Sequence, residues 1–335
     1  QGDATVVVVI LDTGLDFGHP EFEGQVAVKA SEDANGNGKF DPWPDSVFVS
    51  GISGDFDGID QDNNGYTDDV VGWDFTDQPR SPFGGDYLFE DANPQDDNNH
   101  GTLVSGIVAA RADNNYGGAG IAPGCKIKVL RAFSASGSGE DDDIARAIVY
   151  AADNGIKILN FSFGDIYPSQ MMHEAIRYAE EKGVVMIASA GNGTGDNLHY
   201  PSNFDEVISV SASAVAFGGN TEIMWPLSSY GHAVSLCAPG SGILAPMIRD
   251  TTNEEDFDFF SGTSTSAPMV SAAVALLFSQ RGECSPQQIR GILTSSTDDI
   301  SDIGWDHFTG AGRLNIAKAM RVVGAGEGSG SWCSS

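Results

Sequence analysis

Residues 5–11 read TVVVVIL, a nearly continuous run of β-branched apolar residues close to the start of the chain. A run without polar alternation is typical of a strand that is buried on both faces, as in a parallel sheet. Asp12, Thr13 and Gly14 follow the run directly. Because sites in open α/β sheets form beyond the carboxyl ends of the strands, the sequence predicts chemistry at Asp12, although an Asp here could equally cap a turn.

Strands and helices are predicted to alternate along the rest of the chain. Further apolar runs predict strands over residues 126–131, 156–161, 184–189 and 207–212. Helical patterns cover residues 144–154, 171–182, 286–294 and 314–322. Strand–helix alternation implies right-handed crossovers, so we expect a three-layer α/β fold with a mostly parallel central sheet flanked by helices.

The charge balance excludes some partners. The 335 residues include 17 basic and 47 acidic side chains, a formal net charge of −30. This argues against nucleic acid or an anionic membrane as a partner, since both require basic patches, and favours divalent cations, basic substrates or a saline environment. No apolar run reaches the length of about 18 residues that a membrane span needs. We expect a mature or trimmed monomer that lacks a signal peptide and an N-terminal propeptide.

The cysteines form neither a CxxC pair nor a zinc-binding spacing. Apolar surroundings predict that Cys125 and Cys237 are buried thiols. Cys284 and Cys333 lie in polar segments late in the chain and could pair in an oxidising compartment. Sequence alone does not decide that pairing.

Residues 31–99 are rich in Asp, Asn and Gly and contain two segments that resemble calcium-binding loops. In residues 60–69 oxygen-bearing side chains recur at every second position, followed by a glycine, as in an EF-hand loop. The expected ligands are Asp60, Asp62, Asn64, the Tyr66 carbonyl, and Asp68 or Asp69. Val71 stands where the pattern expects a bidentate Glu. The alternative for this segment is a solvated, turn-rich loop.

The second segment, residues 33–41, shows the same alternation with fewer carboxylates. Its expected ligands are Asp33, Asn35, Asn37 and Asp41. Ligands that are all oxygen favour Ca²⁺ over zinc or copper, so Ca²⁺ is the expected ion in both loops. A solvated loop is again the alternative.

Residues 261–277 read SGTSTSAPMVSAAVALL, small polar residues that lead into an apolar helix. Pro268 falls in the first turn, where a missing backbone N–H costs little. Ser264 has the positive end of the helix dipole beside it, which suits a nucleophile whose attack builds up negative charge. Serine is also a common helix cap, so this stretch alone leaves both roles open.

Three segments of the chain together resemble the signatures of the subtilisin-like serine peptidases. They are Leu11-Asp12-Thr13-Gly14, His100-Gly101-Thr102-Leu103-Val104-Ser105-Gly106 and Gly262-Thr263-Ser264-Thr265-Ser266-Ala267-Pro268. The order Asp, His, Ser is the order of that family. The resemblance runs from about residue 5 to residue 322, almost the whole chain, and implies a secreted serine endopeptidase of subtilisin-like fold that acts on polypeptides.

The resemblance implies a role for each matching residue. Ser264 would be the nucleophile, His100 the base that accepts its proton, and Asp12 the group that orients the imidazole. Asn192, in Ala190-Gly191-Asn192-Gly193, would donate to the oxyanion together with the Ser264 backbone N–H. Taken alone, His100 could be structural and Asn192 a turn residue between glycines.

Further segments match the substrate-binding strands of the family. The resemblance implies that Ser162, Phe163 and Gly164 line one wall of the first specificity pocket and that Ala188, Ser189 and Ala190 line the other. Ser138 and Gly139, in a Ser-Gly-Ser-Gly run, would form the second strand beside the substrate. The pocket floor would lie within residues 194–203, which leaves the side chain preferred at the cleaved bond open.

Two departures from the family pattern concern the subgroup and the specificity. Leu103 stands where many relatives carry a second histidine, a position outside the proton relay. Glu140, Asp141, Asp142 and Asp143 follow the substrate strand, and Asp165 follows the pocket wall. These acids could favour basic residues a few positions before the cleaved bond, or residues 140–143 could simply complement a helix dipole.

The predicted organisation is a peptidase domain over residues 1–323, with a calcium-loop insertion around residues 31–99, and a Gly/Ser-rich tail or linker over residues 324–335. A catalytically silent, calcium-dependent binding module is a rival function, which a serine-directed inhibitor would separate from a peptidase. A processing peptidase of narrow specificity is a second rival, which a peptide-library digest would identify.

Overall fold

A computed structural model describes residues 2–77, 88–196, 198–219, 221–249, 256–282 and 284–324. Residues 78–87 of the Asp-rich insertion and residues 325–335 of the expected tail, with Cys333, lie outside the described residues. Within the described part of the chain, no helix combines the length and the apolar character needed to cross a bilayer.

The described residues contain mostly short strands and longer helices. The strands are β1 (Val7–Asp12), β2 (Phe48–Val49), β3 (Ile52–Ser53), β4 (Gly72–Asp74), β5 (Lys126–Arg131), β6 (Ile158–Phe161), β7 (Val185–Ser189), β8 (Ile208–Val215), β9 (Glu222–Met224), β10 (Val234–Pro239), β11 (Ile243–Pro246) and β12 (Phe257–Phe260). The α-helices are α1 (His100–Ala109), α2 (Asp141–Asp153), α3 (Gln170–Glu181), α4 (Thr263–Arg281), α5 (Pro286–Ser295) and α6 (Ile316–Gly324).

The main sheet has the strand order β10-β8-β7-β6-β1-β5-β4, with β9 added against β8. All neighbours along this order are parallel, and only the β8–β9 pair is antiparallel. Strand β1 lies inside the sheet, where Leu11 pairs with Leu130 of β5 and Phe161 of β6. This position accounts for the continuous apolar run, because a strand inside a parallel sheet is covered on both faces.

Helices cover both faces of the sheet. Val8 and Ile10 pack in one cluster with α1, α4, α5 and α6, whereas Val9 and Leu11 pack in another with α2 and α3. Successive side chains of a strand point to opposite faces, so one run of β1 supplies both cores. The three-layer α/β fold expected from the sequence is therefore confirmed.

Some element boundaries differ from the prediction. Strand β1 begins at Val7 because the Thr5 N–H and hydroxyl both donate to Asp3 Oδ1, which holds residues 3–6 in a turn. Helix α2 begins at Asp141, so the acidic run forms its first turn. Strands β2 to β4 and β9 to β12 were not predicted, because they are short or lie at sheet edges and in hairpins.

Candidate active site

A cavity of about 530 Å³ opens at the carboxyl ends of β1, β6 and β7. Its lining residues are Asp12, Thr13, Asn98, His100, Phe133, Gly137, Ser138, Gly139, Asp141, Ile144, Ser162, Phe163, Gly164, Asp165, Met172, Ser189, Gly191, Asn192, His199, Thr263 and Ser264. The topology brings these distant segments together, since parallel strands end at the same edge of the sheet.

Asp12 and His100 form a close pair at one side of this cavity. Asp12 ends β1, His100 begins α1, and Asp12 Oδ1 lies 2.7 Å from His100 Nδ1. The same oxygen accepts the Thr13 N–H at 2.8 Å, while Oδ2 is buried with no hydrogen-bond partner among the described residues. With Nδ1 engaged, Nε2 is the ring nitrogen left to exchange a proton.

The pKa of His100 lies above its usual value of 6.5. Burial lowers this pKa, but the negative charge of Asp12, its hydrogen bond and the charge of Asp96 together raise it further than burial lowers it. The imidazolium form of His100 is therefore stabilised by the carboxylates around it.

Ser264 lies in the first turn of α4, and its hydroxyl donates to the Ser162 carbonyl oxygen at 2.9 Å. The Ser162 hydroxyl in turn donates to the Ser264 carbonyl oxygen at 3.0 Å. A hydroxyl has a single hydrogen, so Ser264 does not donate to His100 in this conformation. The two reciprocal hydrogen bonds join the helix start to the segment that follows β6.

The Asn192 side chain is oriented by the start of α4. Its Oδ1 accepts both the backbone N–H and the hydroxyl of Thr263, each at 3.0 Å. A backbone N–H requires an acceptor, so the amide oxygen must face Thr263 and Nδ2 must point away from it. Asn192 is exposed and lines the cavity, which leaves the two Nδ2 hydrogens available to a ligand.

Asp96 is a further site residue that the sequence analysis did not identify. It is 3% exposed, its Oδ1 accepts the Thr13 hydroxyl at 2.9 Å, and its Oδ2 accepts the N–H and hydroxyl of Thr102 at 2.9 and 2.7 Å. The Thr13 hydroxyl accepts the Gly101 N–H at 2.9 Å. Asp96 therefore ties the end of β1 to the first turn of α1 and positions the carboxylate–imidazole pair.

Most residues expected to contact substrate line the cavity, with one change of local structure. Those that line it are Ser138, Gly139, Ser162, Phe163, Gly164 and Ser189. Residues 135–137 form a turn, in which Gly137 N–H donates to the Ser134 carbonyl and Ser134 N–H donates to the Ser138 carbonyl. Ser138 and Gly139, which follow the turn, are not assigned to a strand.

Ala188 and Ala190 require a correction, since neither lines the cavity. Ala188 is fully buried and packs in the core on the α2 and α3 side of the sheet. Ala190 is 4% exposed. Alternation along β7 directs Ser189 to the opposite side from Ala188, so the wall consists of Ser189 and Gly191.

The loop of residues 33–41 folds around its carboxylates. The two oxygens of Asp33 accept the N–H groups of Gly36 and Gly38, each at 2.8 Å. The side-chain amides of Asn35 and Asn37 approach Asp41 Oδ2 at 3.0 and 2.7 Å. Of the predicted ligands, Asn35, Asn37 and Asp41 are therefore in contact, with both amides donating through Nδ2 to the Asp41 carboxylate, whereas Asp33 binds backbone N–H groups of its own turn.

Asp55 joins this loop from outside the predicted motif. It is fully buried; its Oδ2 accepts the Asp41 N–H at 2.7 Å, and its Oδ1 has no hydrogen-bond partner among the described residues. Burial, reinforced by the charges of Asp33 and Asp41, raises the pKa of Asp55 to about 6. Asp55 Oδ1, a buried carboxylate oxygen without a donor among the described residues, is chemically suited to a divalent cation.

The carboxylates of the loop of residues 60–69 already bind a lysine ammonium from outside the loop. Lys29 Nζ lies 2.8 Å from Asp62 Oδ2 and 2.7 Å from Asp69 Oδ2. Glu32 is buried beside Asp62 and Asp69, close enough for the three carboxylates to share one ion. The lysine ammonium thus neutralises part of the charge that the motif offers to a metal.

Other predicted ligands of this loop have local partners. Asp60 accepts the N–H groups of Asn64 and Gly65, and Asn64 Oδ1 accepts the Tyr66 N–H. Asp68 differs from the expectation, because its carboxylate faces the N–H groups of residues 57 and 58 and is not part of the cluster of Glu32, Asp62 and Asp69.

Comparisons with known proteins identify the family of the chain. Residues 3–312 match the model of the subtilase family. Fervidolysin from Fervidobacterium pennivorans is 32% identical over 94% of this chain and 40% of its own length. The thermophilic serine proteinase of Bacillus sp. (strain AK1) is 30% identical over 96% of the chain and 63% of its own length. Thermitase from Thermoactinomyces vulgaris is 34% identical, covering 75% of the chain and 81% of that protein.

The solved structure of fervidolysin, described as a keratinolytic enzyme related to subtilisin, superposes with a TM-score of 0.71 at 30% identity. The match covers 95% of this chain and 42% of that structure, so the chain spans less than half of this relative. The strand order, the cavity at the strand ends and the family match over most of the chain lead to one conclusion. The chain belongs to the subtilase family of serine peptidases.

Proposed function

We propose that the chain is a serine endopeptidase that hydrolyses peptide bonds through an acyl-enzyme on Ser264. The observation that carries the proposal is the 2.7 Å contact between Asp12 and His100 on a cavity that Ser264 and Asn192 also line. A nucleophile, an oriented base and a free amide donor at one cavity are the parts that acyl transfer requires.

The first half of the reaction forms the acyl-enzyme. Rotation of the Ser264 side chain turns its hydroxyl from the Ser162 carbonyl towards His100 Nε2, which takes the proton as Oγ bonds to the substrate carbonyl carbon. Negative charge on the carbonyl oxygen is met by Asn192 Nδ2 and by the Ser264 N–H, an amide of the first helical turn that lacks an intrahelical partner. The carbon–nitrogen bond then breaks, and His100 gives its proton to the leaving amine.

The second half restores the enzyme. Water loses a proton to His100 as its oxygen attacks the acyl carbon, and the bond to Ser264 Oγ breaks as His100 returns that proton to the serine. Asp12 stays ionised throughout and stabilises the imidazolium that forms twice in the cycle.

Casein hydrolysis by the wild type and by Ser264→Ala tests the proposal. We expect the wild type to cleave, and Ser264→Ala to melt at the same temperature and retain only residual activity. A folded wild type that neither cleaves casein nor reacts with a serine-directed inhibitor would instead support the calcium-dependent binding module. Reaction with the inhibitor but no cleavage of casein would support the processing peptidase.

We also propose that Ca²⁺ stabilises the fold by binding in the Asp-rich insertion. Asp33, Asp41 and Asp55, with the amide oxygens of Asn35 and Asn37, would hold the ion, whose charge would offset the buried carboxylate of Asp55. The loop of residues 60–69 is the second candidate, with Glu32 as an additional ligand. Lys29 makes it the weaker of the two, since its ammonium already neutralises Asp62 and Asp69.

The remaining proposals concern setting and organisation. Cys284 is disulfide-bonded, which supports an oxidising compartment and hence secretion. Cys125 and Cys237 are free and fully buried. We propose polypeptide substrates, a monomer, a peptidase domain over residues 1–323 and a tail or linker over residues 324–335.

A further inference from the structure

His199 lines the active-site cavity and lies within residues 194–203, the stretch expected to contain the pocket floor. The ring of His199 lies between the two glycines of the opposite walls, Gly164 and Gly191. A methyl group on the Cα of Gly164 would lie 2.3 Å from His199 Cε1. A methyl group on Gly191 would lie 2.7 Å from His199 Cδ2. The imidazole therefore spans the gap between the walls, one edge towards each glycine.

This gap is the part of the cavity nearest the reacting atoms. Gly164 lies two residues after Ser162, whose carbonyl accepts the Ser264 hydroxyl, and Gly191 directly precedes Asn192. In the proposed reaction the substrate carbonyl carbon lies within about 3–3.5 Å of Ser264 Oγ and its oxygen faces Asn192. The gap adjoins the segments that contain both residues, so the proposal places the side chain of the reacting substrate residue here.

The backbone of His199 is held firmly in place. Its carbonyl accepts the Ser202 hydroxyl at 2.6 Å and the Asn203 N–H at 2.9 Å. Tyr200 and Asp165 exchange two backbone hydrogen bonds of 2.9 and 2.7 Å, which fasten the residue after His199 to the wall that contains Gly164. An imidazole on so constrained a segment cannot move aside without breaking these contacts or changing its rotamer.

The ring itself has a polar anchor and carries no charge at neutral pH. His199 donates a hydrogen bond to the Ser189 carbonyl, on the same wall as Gly191. Burial lowers the pKa of His199, although this hydrogen bond and the charge of Asp165 partly oppose the shift. A neutral ring offers bulk to an incoming side chain and little electrostatic attraction for an acidic one.

We propose that His199 closes the pocket for the side chain that precedes the scissile bond, so that the enzyme cleaves after small residues such as Gly, Ala and Ser. The inference rests on the proposed peptidase function. Large aromatic or aliphatic side chains would overlap with the imidazole. The apolar part of the cavity, formed by Phe133, Ile144, Phe163 and Met172, would receive side chains further from the cleaved bond.

A peptide-library digest by the wild type tests the inference without any substitution. We expect cleavage after Gly, Ala and Ser to exceed cleavage after Phe, Tyr and Leu by roughly 10- to 200-fold in kcat/KM, the range for poorly fitting side chains in a closed pocket. Equal or faster cleavage after the large residues would overturn the inference and leave the peptidase function intact.

His199→Gly and His199→Ala test the role of the ring directly. We expect both to raise kcat/KM for a peptide with Phe before the scissile bond by about tenfold or more, with little change for the matching Ala peptide. His232→Gly, an exposed histidine outside the cavity, is the matched control and should leave both rates unchanged. Labelling by a serine-directed inhibitor reports the concentration of folded sites in each preparation.

These outcomes separate the two levels of the proposal. A wild type that is folded, unlabelled and inactive on every peptide would overturn the peptidase function and this inference with it. Labelled variants that keep the wild-type preference for small residues would overturn the role of His199 alone.

Discussion

In the proposed mechanism, the carboxylate of Asp12 sets the pH range in which His100 acts as a base. Its charge and hydrogen bond raise the pKa of His100 above 6.5 against the effect of burial. The base is needed in its neutral form, so kcat/KM should fall as the pH drops below this raised pKa. The same shift stabilises the folded state below pH 6.5, and this contribution is lost as the pH rises through the folded-state pKa.

Asp12→Asn tests this coupling. Without the carboxylate, burial dominates, so the acid limb of the kcat/KM profile should move to lower pH. We also expect kcat to fall by about 10⁴, because an Asn amide can donate to Nδ1 and hold the imidazole in the tautomer that cannot accept a proton at Nε2. The exposed Asp153→Asn is the control and should change neither quantity. An acid limb that stays in place in Asp12→Asn would show that another group sets the midpoint.

The loop of residues 33–41 and the buried Asp55 beside it predict how the stability of the protein depends on pH and on Ca²⁺. In the chelated protein, the pKa of Asp55 is raised from 3.8 to about 6 in the folded state. A raised carboxyl pKa stabilises the folded state only while the group is protonated, so the chelated protein should lose stability as the pH rises from about 4 to about 6. Bound Ca²⁺ offsets the buried charge, so the rise in melting temperature on adding Ca²⁺ should be largest above pH 6.

Two substitutions distinguish the two loops. Asp55→Asn should lose most of the Ca²⁺-dependent rise in melting temperature and, in chelator above pH 6, should be no less stable than the wild type. Asp62→Asn, in the loop whose carboxylates contact Lys29, should keep most of that rise. A full calcium response in Asp55→Asn, measured by thermal denaturation, would assign the ion to the other loop.

Helix α2 limits how many of the acids at residues 140–143 can face a substrate. Asp143 is fully buried and lies 2.7 Å from Arg146, so it cannot meet a substrate, whereas Asp141 lines the cavity. We expect Asp141→Asn to lower kcat/KM for a Lys-containing peptide at low salt by at most about fivefold, because a solvent-screened charge pair is worth little. A neutral peptide should be unaffected. An equal loss on both peptides would indicate that the acids serve only the helix dipole.

Across the whole molecule, the predictable features were those encoded in contiguous sequence. The run of residues 5–11 indicated a buried parallel strand, and short motifs marked Asp12, His100, Ser264 and Asn192 at element junctions. The parallel sheet then brings these junctions to one edge, which explains why local patterns were sufficient for both the fold class and the candidate site.

Features that depend on distant partners could not be predicted in the same way. Asp96 stands in a run of Asp and Asn residues, and only its contacts with Thr13 and Thr102 distinguish it. Asp55 lies outside the motif that it completes, and His199 acquires its position from glycines on two other segments. The contact between Lys29 and the acidic loop of residues 60–69 likewise forms only when the chain is folded.

The most direct test of the central claim is the reaction of the folded protein with a fluorophosphonate, followed by mass spectrometry of its peptides. We expect one adduct per chain, located on Ser264, with a rate that falls sharply in His100→Ala. An adduct on another residue, or none on a folded and correctly sized chain, would contradict the assignment of Ser264 as the nucleophile.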